Sequence, residues 1–213
     1  MPELEVGTVE SRRGVYHLLR RIFEKESDEK LLADLEASGL RRELEDRGFD
    51  LGLPLGPIEP GTAERLAVEY TRLFIGPGDH APLFASVHSD RVGDKGRLWG
   101  DSTVEVKKFI ESTGLMFKPG RGSVPDHLAI ELEFMARLVE AEEEATREGN
   151  EDAVRKIASA QQRFLSEYLL SWFPSFARKV AESKPHPFYA SLTKFCHEWL
   201  LSEKGALAGS TGS

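Results

Sequence analysis

Apolar residues recur at intervals of three and four along nearly the whole chain, the spacing that gathers side chains on one face of an α-helix. Val15, Leu18, Leu19 and Ile22 form one such stripe; Ala63, Leu66, Ala67, Tyr70, Leu73 and Phe74 form a second; Val106, Phe109 and Ile110 form a third. The second half continues with Leu128, Leu132, Met135 and Val139, then Val154, Ile157, Ala158, Leu165, Tyr168 and Leu169, then Phe188, Leu192, Phe195, Cys196, Trp199 and Leu200. No stretch reads clearly as a strand pair, so helices dominate.

Helix starts are marked chemically. Thr62 follows Pro60-Gly61, Ser102 stands three residues before Glu105 as a capping box, and Gly149-Asn150 precedes Glu151 and Asp152. Two segments break the period. The run Gly76 to Gly100 is rich in Gly, Pro and Asp and predicts a long loop. The run "TGLMFKPGRGSVP" from Thr113 predicts a second break, with Lys118 to Ser123 as a hinge between two helical halves. The last residues, 204–213, are small and polar and predict a flexible tail.

The 213 residues suffice for a sizeable core, being 40% hydrophobic and 30% charged. A formal charge of −8 argues against nucleic acid and favours a cationic partner or simple solubility. The lone Cys196 permits no intramolecular disulfide, which fits a reducing cytoplasm, and there is no cysteine cluster for zinc or iron–sulfur. The N-terminus is acidic, and the longest weakly charged run, "YLLSWFPSFA" from Tyr168, is too short for a bilayer, so neither a secretion signal nor a membrane span is expected. "SRRGVYHLLRR" from Ser11 hints at a twin-arginine signal but becomes charged again at Arg20, and reads as an ordinary amphipathic helix.

Neither glycine-rich segment, "GPGDHAP" nor "GRGSVP", has the Gly-Lys-Ser/Thr ending of a phosphate loop. His80, His88, His127 and His186 are too far apart for a helical metal pair, and no metal or cofactor is implied. A triad of Ser86, His127 and Asp126 has nothing in sequence to orient it. The stretch "PDHLAIELEFM" from Pro125 is different, placing an acid and an imidazole before a strongly amphipathic helix. Ser123 with Asp126 three residues later suits a cap, and His127 four residues before Glu131 suits either an ion pair on one helix face or a satisfied, partly buried imidazole. Asp126, Glu133, Glu140, Glu142, Glu143 and Glu144 also suit a groove for a basic, apolar peptide, or simply a solvated acidic face.

"EYTRLFIGPGDHAPLFASV", Glu69 to Val87, followed by "VPDHLAIELEFMARL", Val124 to Leu138, closely resembles the TorD/DmsD/NarJ family of cytoplasmic maturation chaperones for molybdenum redox enzymes. "FLSEYLLSWFPSFARKV" from Phe164 and "PFYASLTKFCHEWL" from Pro187 resemble the family's C-terminal helices, so the likeness runs from about Thr62 to Leu201. Where Tyr168 stands, the family pattern usually has a histidine.

The resemblance implies an all-α, single-domain bundle of about eight helices over residues 1–203 and no catalytic residues. It implies a cytoplasmic chaperone that binds the twin-arginine signal peptide of a molybdopterin-containing oxidoreductase subunit in its apo-form, holding back export until cofactor insertion is complete. Asp126 would attract a peptide arginine, with His127, Tyr70, Phe74 and Trp172 shaping the adjoining apolar surface and Glu131, Gly76, Pro77 and Ser86 completing the site. A monomer is expected, with exchange of a helical half between protomers as a route to a dimer. The competing expectations are an assembly factor that binds a folded partner surface without reading the signal peptide, and a weak nucleotide-binding enzyme.

Overall fold

The computed structural model describes residues 9–54, 56–89, 99–114 and 124–210. Among these the regular structure is helical, ten α-helical spans and two π turns with no strand, joined by turns and loops. The first three are α1 (Val9–Glu24), α2 (Glu29–Ala37) and α3 (Leu40–Asp46). Then come α4 (Thr62–Tyr70), the single turn α5 (Ala85–His88), α6 (Asp101–Ser112) and α7 (Leu128–Arg147). The chain closes with α8 (Glu151–Phe164), α9 (Leu170–Glu182) and α10 (Pro187–Ser210). The spans α2, α3 and α5 have no counterpart in the apolar pattern read from sequence: α2 carries only the short stripe Leu31, Leu32 and Leu35, and α3 and α5 run for two turns or fewer.

The predicted helix starts at Thr62 and Glu151 are those observed, the latter because the Asn150 side chain accepts the Ala153 N–H at 3.1 Å. Helix α6 begins one residue ahead of the expected Ser102 cap, with Gly100 in the cap position. The C-terminal tail expected from Lys204 is helical as far as Ser210, because Leu207 is buried at 5% exposure and anchors the last turns of α10 to the core. The proposed hinge at Lys118–Ser123, and with it the basis for exchange of halves, lies outside the described residues.

Helix α1 packs along α7, α7 against α8, and α9 against α10. The interior holds two aromatic groups. Phe23, Phe74, Phe176 and Tyr189 meet edge to face and tilted, with centroids 5.6 to 6.2 Å apart. Phe109, Phe134, Phe164 and Tyr168 form the other, with centroids 4.6 to 6.0 Å apart.

The Arg12-Arg13 pair lies in α1, as expected of an ordinary amphipathic helix, yet Arg12 is 6% exposed and joins three helices. Its guanidinium donates to Glu203 at 2.9 Å, to Glu142 at 2.9 Å and to Gln161 at 2.6 Å, and Tyr16 adds a hydroxyl bond to Glu203 at 3.2 Å. A buried charge is tolerated because every side of it is met by an acceptor.

Two helical rods widen locally into a π turn, where each N–H reaches back five residues. Thr71–Ile75 follows directly on α4 and delivers the chain into the Gly76 loop, and Leu165–Leu169 joins α8 to α9 without a break.

Candidate functional site

The two sequence motifs are brought together by main-chain pairing. The π turn after Tyr70 ends at Gly76, whose N–H donates to Thr71 O at 2.6 Å; a Cβ at Gly76 would stand 3.1 Å from that same oxygen, so the close approach favours glycine. The loop then folds back, with Ala81 N–H donating to Leu73 O at 2.7 Å and Asp79 paired with Lys179 of α9. Next, Phe84 and His127 face each other in an antiparallel bridge. Ala85 N–H donates to Asp126 O at 2.9 Å, and Leu128 N–H donates to Leu83 O at 2.8 Å.

Within this junction Asp126 is fully buried, and its Oδ2 accepts the Ser86 N–H at 2.8 Å. The carboxylate therefore holds the first turn of α5 against the start of α7. This corrects the expectation that Asp126 attracts a peptide arginine: its carboxylate is buried and turned to the Ser86 amide, and it is not among the residues that line the cleft described below. The Ser123 half of the expected cap lies outside the described residues, and the cap of α7 is instead His127, whose Nδ1 accepts the Ala129 N–H at 3.1 Å. An accepting Nδ1 leaves the ring proton on Nε2. Burial pulls the His127 imidazole down to about 4, against a smaller opposing pull from Asp126, so it is neutral near pH 7. Its ring meets Phe84 edge on, with centroids 4.9 Å apart.

Of the two expectations for His127, the structure shows the satisfied, partly buried imidazole and not the pair with Glu131. Glu131, fully buried, turns to α9, where Trp172 Nε1–H donates to its Oε2 at 3.0 Å. Burial first, and the neighbouring Asp126 after it, push the Glu131 carboxyl well above the ordinary range, with the indole bond opposing them. Trp172 also stacks on His88 of α5, with centroids 5.8 Å apart, and His88 Nε2 donates to Pro82 O at 2.7 Å. Burial lowers His88, leaving it neutral as well.

Outside this layer lies a cleft of about 350 Å³. Glu131 and Trp172 form its inner wall, Ala85 and Ser89 one side, Ser102, Glu105 and Val106 of α6 another, and Glu167, Tyr168 and Ser171 the third. Glu167 and Tyr168 of the π turn Leu165–Leu169 line the same opening as Trp172 of α9. Three carboxyl-bearing side chains line the cleft and, among the described residues, neither a lysine nor an arginine does. A larger cavity of about 530 Å³ between α1, α2, α3 and α10 is lined mostly by apolar side chains such as Val15, Leu18 and Leu44, and it includes none of the motif residues.

Of the residues expected at the site, Glu131 and Trp172 reach the cleft, and Asp126, His127 and Ser86 support it from below. Tyr70 and Phe74 do not shape a surface. They are 2% and 4% exposed, Tyr70 donating its hydroxyl to Phe23 O at 3.0 Å and Phe74 packing in the first aromatic group, because the apolar stripe of α4 faces the core. Gly76 and Pro77 belong to the loop after the first π turn and do not line the cleft. Glu105, Glu167 and Tyr168 were not singled out as site residues from sequence, although Glu167, Tyr168, Ser171 and Trp172 have the spacing of one helix face.

The described residues thus define an all-helical protein with an acidic, partly apolar cleft. The profile of the family described as nitrate reductase delta subunit matches residues 29–178, and the chain belongs to that family. The chain is 26% identical over 216 residues to the chaperone protein TorD of Shewanella pealeana, covering 94% of this chain and 91% of that one. It is 25% identical over 219 residues to chaperone protein TorD of Vibrio cholerae, covering 97% and 96%. A crystal structure of a protein assigned to redox enzyme maturation, from Archaeoglobus fulgidus, superposes with a TM-score of 0.55 over 92% of this chain and 99% of that one. At 21% identity that likeness speaks for the fold alone. The motif resemblance and the family match therefore agree, and the named relatives are chaperones.

Proposed function

We propose that this protein is a cytoplasmic maturation chaperone that binds the twin-arginine signal peptide of a molybdopterin-containing oxidoreductase subunit in the cleft between α5, α6, α7 and the rod of α8 and α9. Its occupation holds back export until cofactor insertion is complete. The observation that carries this reading is the lining of the cleft by Glu105, Glu131 and Glu167 with no basic residue among its described lining residues, next to the indole of Trp172. A guanidinium is met by carboxylates, and its methylene stem by aromatic surface.

The test is a calorimetric titration of a twin-arginine peptide across salt concentrations. At about 0.15 M salt, exposed charges interact only within roughly 8 Å, so the contribution of Glu105 and Glu167 weakens while the apolar part persists. Glu105→Gln with Glu167→Gln is expected to weaken binding about tenfold, or about 1.4 kcal/mol, at low salt. Affinity absent at low salt, or indifferent to replacement of the peptide arginines by glutamine, refutes the reading. Capture of the partner subunit lacking its signal peptide as efficiently as the intact one would favour a factor that binds a folded surface instead.

A further inference from the structure

Glu131 has one oxygen engaged and one not. Its Oε2 takes the Trp172 indole proton at 3.0 Å, while Oε1, equally buried, has no hydrogen-bond partner. The residue is fully buried on α7 yet forms part of the inner wall of the cleft. A carboxyl fixed in orientation through one oxygen, with the other buried and unengaged in a residue that lines an acidic cleft, offers an acceptor to a donor that enters deeply enough to reach it.

We propose that Glu131 is the acceptor for a guanidinium entering this cleft, and that it surrenders its carboxyl proton to solvent as the ion pair forms, so that peptide binding is proton-coupled. This rests on the reading of the cleft as a peptide site. The surroundings supply no countercharge beforehand. Asp126 precedes Glu131 on the same side and repels a second negative charge. His127 at the cap of α7 and His88 on α5 are neutral near pH 7. From the other walls come Glu105 of α6, then Glu167 and Tyr168 of the π turn. Of the nearby cations, Arg163 pairs with Glu167 at the opening, at 2.8 Å, and Lys179 pairs with Asp79, so neither meets Glu131. Burial in this setting pushes the Glu131 carboxyl up and favours its protonated form before a cation arrives.

An arginine reverses that balance. Its guanidinium stays charged at every accessible pH and offers several N–H donors in a plane, one of which meets Oε1. Its positive charge offsets the desolvation that had favoured the neutral acid. The O–H bond of Glu131 breaks, the proton passes to buffer, and the guanidinium keeps all of its own protons. One proton therefore leaves for each peptide bound, and affinity rises with pH by up to about tenfold per unit across the range in which free Glu131 holds its proton.

The experiment is titration of the intact protein with a twin-arginine peptide at pH 7 in phosphate and in Tris, whose heats of ionisation differ, so that the difference in observed heat counts protons released. The parent is expected to release about one proton per peptide. Glu131→Gln is expected to release close to none and to bind with an affinity flat across pH 6 to 8. Binding by the parent with no proton released overturns the proposal and leaves the peptide reading standing. Absence of binding in both buffers overturns the peptide reading, and the proposal with it. Should Glu131→Gln fail to fold, the buffer comparison on the parent decides alone.

Discussion

Replacing Asp126 tests whether the acid of the Pro-Asp-His motif acts on the fold or on the ligand. Its Oδ2 takes the Ser86 N–H at 2.8 Å, and both residues are fully buried. Asp126→Ala removes the acceptor and leaves that amide without one where water does not reach. A hydrogen bond to a carboxylate contributes about 1.5–3 kcal/mol, and a stranded buried donor incurs its desolvation cost in full, so the loss falls in that range. For a chain of this size each kcal/mol moves the melting midpoint by about 2–4 °C, which gives a decrease of about 3–12 °C. Asp126→Asn retains a side-chain oxygen for the same amide and is expected to lose less than half as much. Thermal melts followed by circular dichroism, with urea unfolding alongside, measure both. Peptide affinity falls in the alanine variant only as α5 loosens from the start of α7, and falls less in the asparagine variant. Should Asp126→Ala melt with the parent and yet fail to bind the peptide, the carboxylate touches the ligand directly and the burial argument is wrong.

The neutral state of His127 makes a second expectation. An unfolded imidazole takes a proton below about 6.5, whereas the folded one does so only near 4, so the stability held by the neutral ring is complete above 6.5 and is lost as pH falls toward 4. Its full size is about 3 kcal/mol at about 1.4 kcal/mol per tenfold, and the urea-derived stability gap between parent and His127→Gln should narrow by that amount from pH 7 to 4. Glu131 titrates in both proteins and cancels; a gap constant with pH contradicts a buried neutral ring. A third expectation concerns Arg12, whose removal strands Glu203 in the core: Arg12→Ala should cost about 3–5 kcal/mol by urea unfolding, and a loss below about 1 kcal/mol would show that the network among α1, α7, α8 and α10 is not tightly desolvated.

The long helices were legible in the sequence because their apolar stripes run for three turns or more, as in Leu128 to Val139, and such a period has only one structural solution. The helical end of α10 was not, because Lys204 to Ser210 is locally a poor helix former and is held by Leu207, a single contact that composition does not weigh. The depth of each motif residue was equally hidden. Tyr70, Phe74 and Asp126 share motifs with residues that shape the cleft and loop, and sequence proximity gives no sign of which side chains point inward. The π turn Leu165–Leu169 was hidden as well, since nothing in "LSEYL" marks it.

An acid and an imidazole at the mouth of α7 thus do their work one layer beneath the surface. Asp126 fixes α5, and the α5 residue His88 stacks on Trp172. Trp172 in turn orients Glu131, while His127 caps the helix that carries Glu131. The motif acts on the cleft by holding its inner wall in place, whereas Glu105 and Glu167 act on it by charge at the opening. The two kinds of residue therefore separate under salt: loss of Glu105 or Glu167 changes an interaction that screening removes anyway, so parent and variant converge as salt rises. Loss of Asp126 changes the geometry in which Glu131 and Trp172 meet a ligand, a deficit that salt leaves intact.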